Sequence, residues 1–413
     1  MRKILKAICA AAALIAVMAM SSCAGDFSDE VFVAQENGVE GGEAVVERVG
    51  TLSKNEKYEI FCRRFAEAIE NGDREISVVD LGLTYGEANW VVDLAFYQYP
   101  EYHACISSSA IHFRRAADSF EKLSWEYVDA NRTGERMEAI RTRIAEIADE
   151  IDPDWSDLEK AVWINNWICE HVKYDETLML RNVYDGLFAG ETVCEGLTGI
   201  YTLLGRACGL EVSFAVTNEI EHVWNTVRID GEWYHVDTTV NIRQKTPYQV
   251  FLVSDGVMLD TFDLSAVPDS LHTCDSTKYD DAFWRNVPRA SLVFVNGVAY
   301  FSNNAGIRRC DIEANQTDYF ISPRGGKWSD ESGYMSGVTY VDLAADESGF
   351  YYNTCDSIYY YDITTAAKTR VFRADADDAD IFGIYIEGGM LCMKMYTDYA
   401  QGEYVVQTLE LAH

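Results

Sequence analysis

The sequence predicts an α+β protein in which a helical region is followed by a mixed core and then by an all-β region. Apolar residues recur at helical spacing from 53 to 154, and Tyr- and Val-rich stretches separated by turn signals dominate beyond 285. The 413 residues, of which 48% are hydrophobic, are enough to bury the cores of two or three domains. Long disordered regions are therefore not expected.

The net charge excludes one class of function. The chain has 34 basic and 67 acidic side chains, a formal charge of −33 and a pI near 4.5. Such a molecule repels phosphate groups, and no basic patch interrupts the acidic background. We therefore expect no nucleic-acid partner.

The N-terminus has the composition of an export signal. Basic residues precede an apolar run at 7–20, which is too short to span a bilayer as a mature helix. The run ends in Met-Ser-Ser-Cys-Ala, which resembles a bacterial lipoprotein processing site whose cysteine, here Cys23, receives the lipid. This predicts a signal peptide at 1–22, a flexible tether at 23–52 and a lipoprotein on the outer face of the bacterial membrane. Simple secretion and an uncleaved anchor are the alternatives.

A helical N-terminal region is predicted at 53–154. Capping boxes, in which Ser or Thr is followed three residues later by Glu, begin helices at Ser53, Thr84 and Ser156. A further helix carries Ile and Met side chains on one face from Met137 to Ile151. We expect this whole region to be mostly helical.

The next region, 155–284, changes from helices to strands. A helix is predicted at 196–207, with Gly209 as its C-terminal cap. Strands are predicted after it at 211–217, 222–229 and 232–240. The last two flank Asp230-Gly231, which is a strong signal for a two-residue hairpin turn.

Residues 285–413 are predicted to form a separate all-β domain with an internal repeat. The pattern at Gly297 returns at Gly349, and Asp311 returns as Asp362, so the offsets are 52 and 51 residues. A weaker third copy covers 389–411. This period suits a four-stranded propeller blade. A closed ring needs about four to eight blades, so we predict propeller-like β-meanders in an open or abbreviated arrangement.

Cys194 is the candidate nucleophile. It lies at the predicted start of a helix, where unpaired backbone N–H groups and the helix dipole favour a thiolate. Gly196, two residues further on, is expected to keep that turn open to a substrate. The other cysteines beyond Cys23 have irregular spacing and no C-x-x-C pair, so neither a zinc ribbon nor a dense disulfide framework is expected.

The predicted hairpin supplies two partners for a thiol. With a two-residue turn at 230–231, His222 and Asp237 become diagonal neighbours on one face of the sheet. Thiol, imidazole and carboxylate are the groups that nucleophilic catalysis requires. Trp224 and His235 share the same face, and for His235 we favour a structural or supporting role over a catalytic one. A zinc site made from these residues is disfavoured, because no close ligand pair is present.

These residues resemble a known family. The transglutaminase-like superfamily of papain-type folds is similar over about 155–241, in the strings Val193-Cys194-Glu195-Gly196, His222-Val223-Trp224-Asn225 and Trp233-Tyr234-His235-Val236-Asp237-Thr238-Thr239. The resemblance implies that Cys194 is the nucleophile, His222 the general base and acid, and Asp237 the orienting carboxylate. It also implies a thioester formed on an amide carbonyl and resolved by an amine or by water.

The chain departs from the family pattern beside the nucleophile. Glu195 stands where bacterial members usually have Gln. A carboxylate next to the thiol opposes thiolate formation unless its charge is solvated. We expect Glu195, Gly196, Trp224 and His235 to bind the substrate or support the site.

The sequence thus predicts a lipid-anchored, extracytoplasmic thiol enzyme without an organic cofactor. Its substrates are expected to be proteins or cell-wall peptides, with hydrolysis favoured over acyl transfer because water is the default acceptor. An inactive transglutaminase-like surface protein that binds or scaffolds a partner is the rival hypothesis. A protease that matures one partner protein is a third.

Overall fold

The computed structural model describes residues 54–129, 131–267, 269–303, 306–322, 341–374, 381–398 and 403–411. The predicted signal peptide, Cys23, the tether and the helix start at Ser53 lie outside these residues. None of the helices described is long and apolar enough to cross a membrane.

The α-helices of the described residues are α1 (Lys54–Asn71), α2 (Tyr85–Gln98), α3 (Pro100–His103), α4 (Thr133–Ala148), α5 (Asp157–His171), α6 (Val183–Ala189), α7 (Cys194–Ala207), α8 (Thr238–Arg243) and α9 (Asp255–Phe262). The strands are β1 (Glu75–Ser77), β2 (Ile106–Ala116), β3 (Ser119–Tyr127), β4 (Lys173–Tyr174), β5 (Glu191–Thr192), β6 (Val212–Thr217), β7 (His222–Ile229), β8 (Glu232–Val236), β9 (Phe251–Val253), β10 (Asp269–Ser270), β11 (Ser291–Val295), β12 (Val298–Asn303), β13 (Gly306–Asp311), β14 (Gln316–Ile321), β15 (Leu343–Ala345), β16 (Gly349–Asn353), β17 (Ser357–Asp362), β18 (Lys368–Arg373), β19 (Ile381–Glu387), β20 (Met390–Asp398) and β21 (Glu403–Glu410). Helices and strands are therefore mixed, as the α+β prediction requires.

The described residues form two compact units. The first contains the described part of Met1–Arg143 together with Asp175–Thr202 and Thr217–His222. The second contains Ile144–Tyr174, Leu203–Val216 and the described part of the chain from Val223 onward.

The N-terminal region of the first unit is helical, as predicted, but it also holds a small sheet. The capping box at Thr84 is confirmed, since its hydroxyl accepts from the Glu87 N–H at 3.2 Å and the Glu87 carboxylate accepts from the Thr84 N–H at 2.9 Å. A mostly helical region is wrong for 106–127, where β2 and β3 form an antiparallel hairpin in a sheet of order β1-β3-β2. The turn lacks a glycine and instead places Ala117 at a φ of 52°, so the usual turn signal is missing.

In the second unit, the capping box that begins α5 is confirmed. The Ser156 hydroxyl accepts from the Glu159 N–H at 3.3 Å, and the Ser156 N–H donates to the Glu159 carboxylate at 2.8 Å. The sheet of this unit has the strand order β10-β6-β7-β8-β9. The chain turns between β7 and β8 at Asp230-Gly231, both with positive φ, and Ile229 pairs with Glu232 as predicted.

The predicted strand at 232–240 is too long. Strand β8 ends at Val236, and α8 begins at Thr238. The Asp237 carboxylate accepts from the Val240 N–H at 3.2 Å, so this residue caps a helix instead of continuing the strand. Asp237 is fully buried.

The β region consists of three successive meanders, of order β11-β12-β13-β14, β15-β16-β17-β18 and β19-β20-β21. The first two carry a register irregularity at equivalent places, after Ile307 and after Ile358, at the predicted offset of 51 residues. The third has three strands and begins at Ile381, earlier than the weak copy predicted from 389. No closed propeller is formed by the strands that the structure describes.

The meanders belong to the second unit, together with α5 and most of the mixed sheet. The Leu292 N–H donates to the Tyr248 hydroxyl at 2.9 Å, and that hydroxyl donates to the Asn166 side-chain oxygen at 2.6 Å. Near the end of α5, Lys394 of β20 contacts the Glu170 carboxylate at 2.6 Å and donates to the Glu170 carbonyl at 2.8 Å. These polar contacts join the β region to the helix that precedes the predicted site.

Candidate active site

Cys194 is the first residue of α7, as the sequence predicts for a nucleophile. Its side chain is partly exposed, a property that it shares with Cys169 and Cys208 among the nine described cysteines, all of which are free thiols. Burial raises the thiol pKa of both Cys169 and Cys208. The helix start therefore holds a partly exposed cysteine where the unpaired backbone N–H groups of a first turn favour an anion.

Gly196 does not leave open space for a substrate, so that expectation is wrong. A Cβ at this position would lie 2.1 Å from the Thr192 hydroxyl oxygen and 2.7 Å from the Asn182 carbonyl oxygen. The glycine instead allows the first turn of α7 to approach the preceding chain closely. Thr192 is buried, and its hydroxyl donates to the Leu180 carbonyl at 3.1 Å.

The loop before α6 is folded around the buried carboxylate of Asp175. Its oxygens accept from the N–H of Thr177 at 2.9 Å, of Met179 at 2.8 Å and of Leu180 at 2.8 Å. Burial alone would raise the pKa of Asp175, but these hydrogen bonds hold it below the ordinary value. The carboxylate therefore fixes the loop whose next residue is Arg181.

Arg181 forms a two-point ion pair with Glu195. Its Nε lies 3.1 Å from Oε2 and its Nη2 lies 3.1 Å from Oε1 of that carboxylate. The two side chains are only 21% and 19% exposed. The carboxylate beside the candidate nucleophile is thus compensated by a guanidinium rather than by solvent alone.

Helix α2 brings two more titratable groups to this part of the first unit. Burial, together with the charge of Glu195, raises the pKa of Asp93 to about 7. Burial also raises the pKa of Tyr97, with further contributions from Glu195, Asp93 and Cys194. Asp93 and Tyr97 are four residues apart on one helix, so both lie on the same face, where the charge of Glu195 at the start of α7 acts on them.

The other two residues of the predicted triad, His222 and Asp237, lie at the ends of secondary-structure elements. His222 is the first residue of β7, is partly exposed and belongs to the first unit with Cys194. Asp237 belongs to the second unit, where its N–H donates to the Val250 carbonyl at 2.9 Å and its carboxylate caps α8.

Trp224 and His235 form a buried chain with Asp255 in the second unit. The Trp224 Nε1–H donates to His235 Nδ1 at 2.9 Å, and His235 Nε2 lies 2.8 Å from Asp255 Oδ1. The two aromatic side chains are each 1% exposed, so neither can contact a substrate from solvent. The contact agrees with the register that placed them on one face and with the structural or supporting role predicted for His235.

One group in the described ranges has the spacing of a metal site. Ligand atoms of His235, Asp255 and Cys274 all lie within 4.8 Å of one another. However, an indole N–H can only donate, so His235 Nδ1 must accept and Nε2 must carry the proton given to Asp255. A protonated Nε2 offers no lone pair to a cation, so the arrangement is that of a hydrogen-bonded core.

Residues 145–238 match the family model of the transglutaminase-like superfamily. The chain carries a transglutaminase-like domain. The resemblance predicted from the sequence is therefore confirmed, with a match that begins before residue 155 and ends before 241. The matched range includes each residue predicted for the catalytic site, namely Cys194, Glu195, Gly196, His222, Trp224, His235 and Asp237.

Two curated relatives align with part of the chain. The kyphoscoliosis peptidases of Mus musculus and Homo sapiens are 29% and 28% identical to it over 115 residues. The aligned part is 22% of this chain and 17% of each relative. The chain thus spans about a sixth of the length of these peptidases.

Two solved structures are also similar in part. A candidate cysteine protease from Cytophaga hutchinsonii has 12% identity and a TM-score of 0.22, covering 40% of this chain and 71% of that one. The extracellular domain of a candidate hybrid two-component system from B. thetaiotaomicron has 11% identity and a TM-score of 0.20, covering 49% and 22%. TM-scores this low do not establish a common fold.

Three residues around the transglutaminase-like nucleophile were not found from the sequence. Arg181 pairs with a residue 14 positions away, and no local pattern indicates such a partner. Asp93 lies in α2, for which the sequence indicated only the capped start at Thr84. Asp175 had a detectable signal, since Asp followed two residues later by Thr is typical of a side-chain-capped turn.

We expect Asp255→Asn to destabilise the second unit by about 1–3 kcal/mol at neutral pH. The hydrogen bond from His235 lowers the pKa of Asp255, so its stabilising effect is present above the ordinary carboxyl pKa and is lost as the pH falls through the lowered value. Urea unfolding at several pH values measures this difference. Asp275→Asn, at an exposed position, is the control, and an equal loss in both variants or a pH-independent loss contradicts the argument.

We expect Asp93→Asn to stabilise the protein by about 1–3 kcal/mol at pH 8. The folded state keeps a proton up to about pH 7, whereas the unfolded carboxyl loses it near pH 4. Wild-type stability therefore falls as the pH rises through this window, and the gain in the neutral variant grows with it. Thermal unfolding of both proteins from pH 4 to 8 tests this prediction. Asp149→Asn, at an exposed position, is the control. A gain in stability that does not change with pH would contradict the argument.

Proposed function

We propose that the chain is a transglutaminase-like thiol enzyme that cleaves or transfers amide or isopeptide bonds. The observation that carries the proposal is the partly exposed side chain of Cys194 at the start of α7, with the charge of the adjacent Glu195 paired to Arg181. A nucleophilic thiol needs access, an anion-stabilising environment and a base, and the exposure and the helix start support the first two requirements.

The proposed reaction uses Cys194, His222 and Asp237. The thiol gives its proton to the His222 imidazole, and its sulfur attacks the carbonyl carbon of an amide. The C–N bond breaks as the imidazolium returns the proton to the leaving amine, which leaves a thioester. Water then attacks with His222 as base, so that a carboxylic acid and the free thiol are released, whereas an amine in place of water gives a new amide. Asp237 orients the imidazole and stabilises its charged form.

Hydrolysis is the favoured outcome. The similar curated proteins are named peptidases, and water needs no dedicated acceptor site. Proteins or cell-wall peptides are the proposed substrates, because the N-terminal 22 residues have the pattern of an export signal that ends before a lipidated Cys23. The lipid would hold the enzyme at the outer face of a bacterial membrane.

Alkylation of the thiol tests the catalytic proposal. We expect iodoacetamide at pH 7 to modify Cys194 at least about tenfold faster than Cys208, and His222→Ala to remove most of that advantage. Mass spectrometry of tryptic peptides gives both rates in one sample. Cys194→Ala should abolish peptide hydrolysis, measured by release of new amino groups, while Cys208→Ala keeps it.

An unreactive Cys194 with no hydrolysis would contradict the enzyme and favour the rival function, a binding or scaffolding protein at the cell surface. In that case Cys194→Ala would retain any captured partner, because binding does not require the thiol.

Lipid attachment is tested separately. We expect a clickable palmitate analogue, fed to bacteria that express the full chain, to label the wild type and Cys9→Ala but not Cys23→Ala. Cys9 lies inside the predicted signal peptide and is removed with it. In-gel fluorescence gives the result, and label retained on Cys23→Ala contradicts the processing site.

A further inference from the structure

An ion pair next to the nucleophile suggests a positioning residue that the sequence did not indicate. Glu195 follows Cys194 directly, and its carboxylate is in two-point contact with the Arg181 guanidinium. The inference drawn from this pair rests on the proposed function, since it concerns how the thiol of that enzyme becomes ionised.

The backbone of Arg181 is held from both sides. On one side, the carboxylate of Asp175 accepts from the Leu180 N–H at 2.8 Å. On the other side, the Asp185 carboxylate accepts from the N–H of Arg181 at 3.0 Å and of Asn182 at 3.2 Å, within the capping box that begins α6. The backbone that carries the Arg181 guanidinium is therefore fixed by hydrogen bonds.

The nucleophile is held by the same loop. The Val193 N–H donates to the Leu180 carbonyl at 3.0 Å, immediately before Cys194. The Thr192 hydroxyl donates to the carbonyls of Leu180 and of Asn182, at 3.1 and 3.2 Å. The residues on either side of Arg181 thus set the start of α7, so the guanidinium, its carboxylate partner and the thiol belong to one hydrogen-bonded assembly.

The ion pair between Arg181 and Glu195 lies among other charged and titratable groups near Cys194. The charge of Glu195 shifts the pKa values of Asp93, Tyr97 and His103. The charge of Arg181 also shifts the pKa values of Tyr97 and His103. The Arg181 guanidinium is the positive charge that acts on Tyr97 and His103, whereas Glu195 and ionised Asp93 are negative. Removal of the guanidinium would leave a partly buried carboxylate next to a thiol that must become an anion.

We propose that Arg181 is a positioning residue that neutralises and orients Glu195, so that the adjacent Cys194 can be deprotonated during catalysis. An uncompensated, partly buried carboxylate on the residue next to a thiol disfavours the thiolate, and we expect its effect on the thiolate population to be about tenfold. The guanidinium cancels most of that effect. The role is electrostatic, which separates it from simple stabilisation of the loop.

The test is the second-order rate of Cys194 alkylation by iodoacetamide at pH 7 in the full chain. We expect Arg181→Gln to lower the rate about tenfold and Arg181→Lys, which keeps the charge, to lower it less than threefold. The double variant Arg181→Gln with Glu195→Gln should return to within about threefold of wild type, since the uncompensated carboxylate is then absent. A structural role of Arg181 alone would leave the double variant as slow as the single one.

Control variants separate folding from electrostatics. Arg64→Gln breaks another two-point ion pair of the same unit, with Asp80 at 2.6 and 2.5 Å, and should leave the alkylation rate unchanged. Thermal unfolding of every variant reports any loss of structure. The proposal is overturned if Arg181→Gln keeps the wild-type rate, or if the double variant stays as slow as Arg181→Gln.

Failure of the proposed function has a different signature. If Cys194 of the wild type reacts no faster than Cys208, the enzyme proposal fails and the role of Arg181 fails with it. If Cys194 of the wild type is fast but insensitive to Arg181, only the positioning role is refuted.

Discussion

The close approach of the first turn of α7 to Thr192 is the constraint on which the geometry of the candidate site depends. Any side chain at Gly196 would collide with the Thr192 hydroxyl and the Asn182 carbonyl. With glycine there, the helix start is fixed against the same loop that presents Arg181. The position of Cys194 therefore follows from backbone packing, and the charge next to it follows from the loop.

Much of the fold could be predicted because its signals are local. The turn at Asp230-Gly231 fixed the register of β7 and β8, and the capping boxes at Thr84 and Ser156 fixed two helix starts. The strand at 232–240 was predicted too long because an Asp after a strand can either continue it or cap a helix. The backbone N–H of Val240 decides between the two, and that contact is not visible in a hydrophobic pattern.

The nucleophile could be proposed from the sequence, but its electrostatic surroundings could not. A thiol at a helix start is a short-range feature, whereas the pair between Arg181 and Glu195 forms only when a loop folds on Asp175. The Trp224–His235–Asp255 chain is similar in this respect, since the register placed two members together but gave no hint of Asp255. Long-range polar partners are the part that the sequence pattern leaves open.

The contacts between α5 and the meanders limit where recombination could divide the gene without loss of stability. The Tyr248 hydroxyl and the Asn166 side chain depend on Leu292 for their hydrogen bonds, and the end of α5 depends on Lys394. An exchange that cut the gene between core and meanders would remove the hydrogen bonds that Leu292 makes with Tyr248 and Asn166 and those that Lys394 makes with Glu170. Recombination would therefore conserve stability only by moving both pieces together. We therefore expect the transglutaminase-like segment to be stable only together with the meanders against which α5 packs.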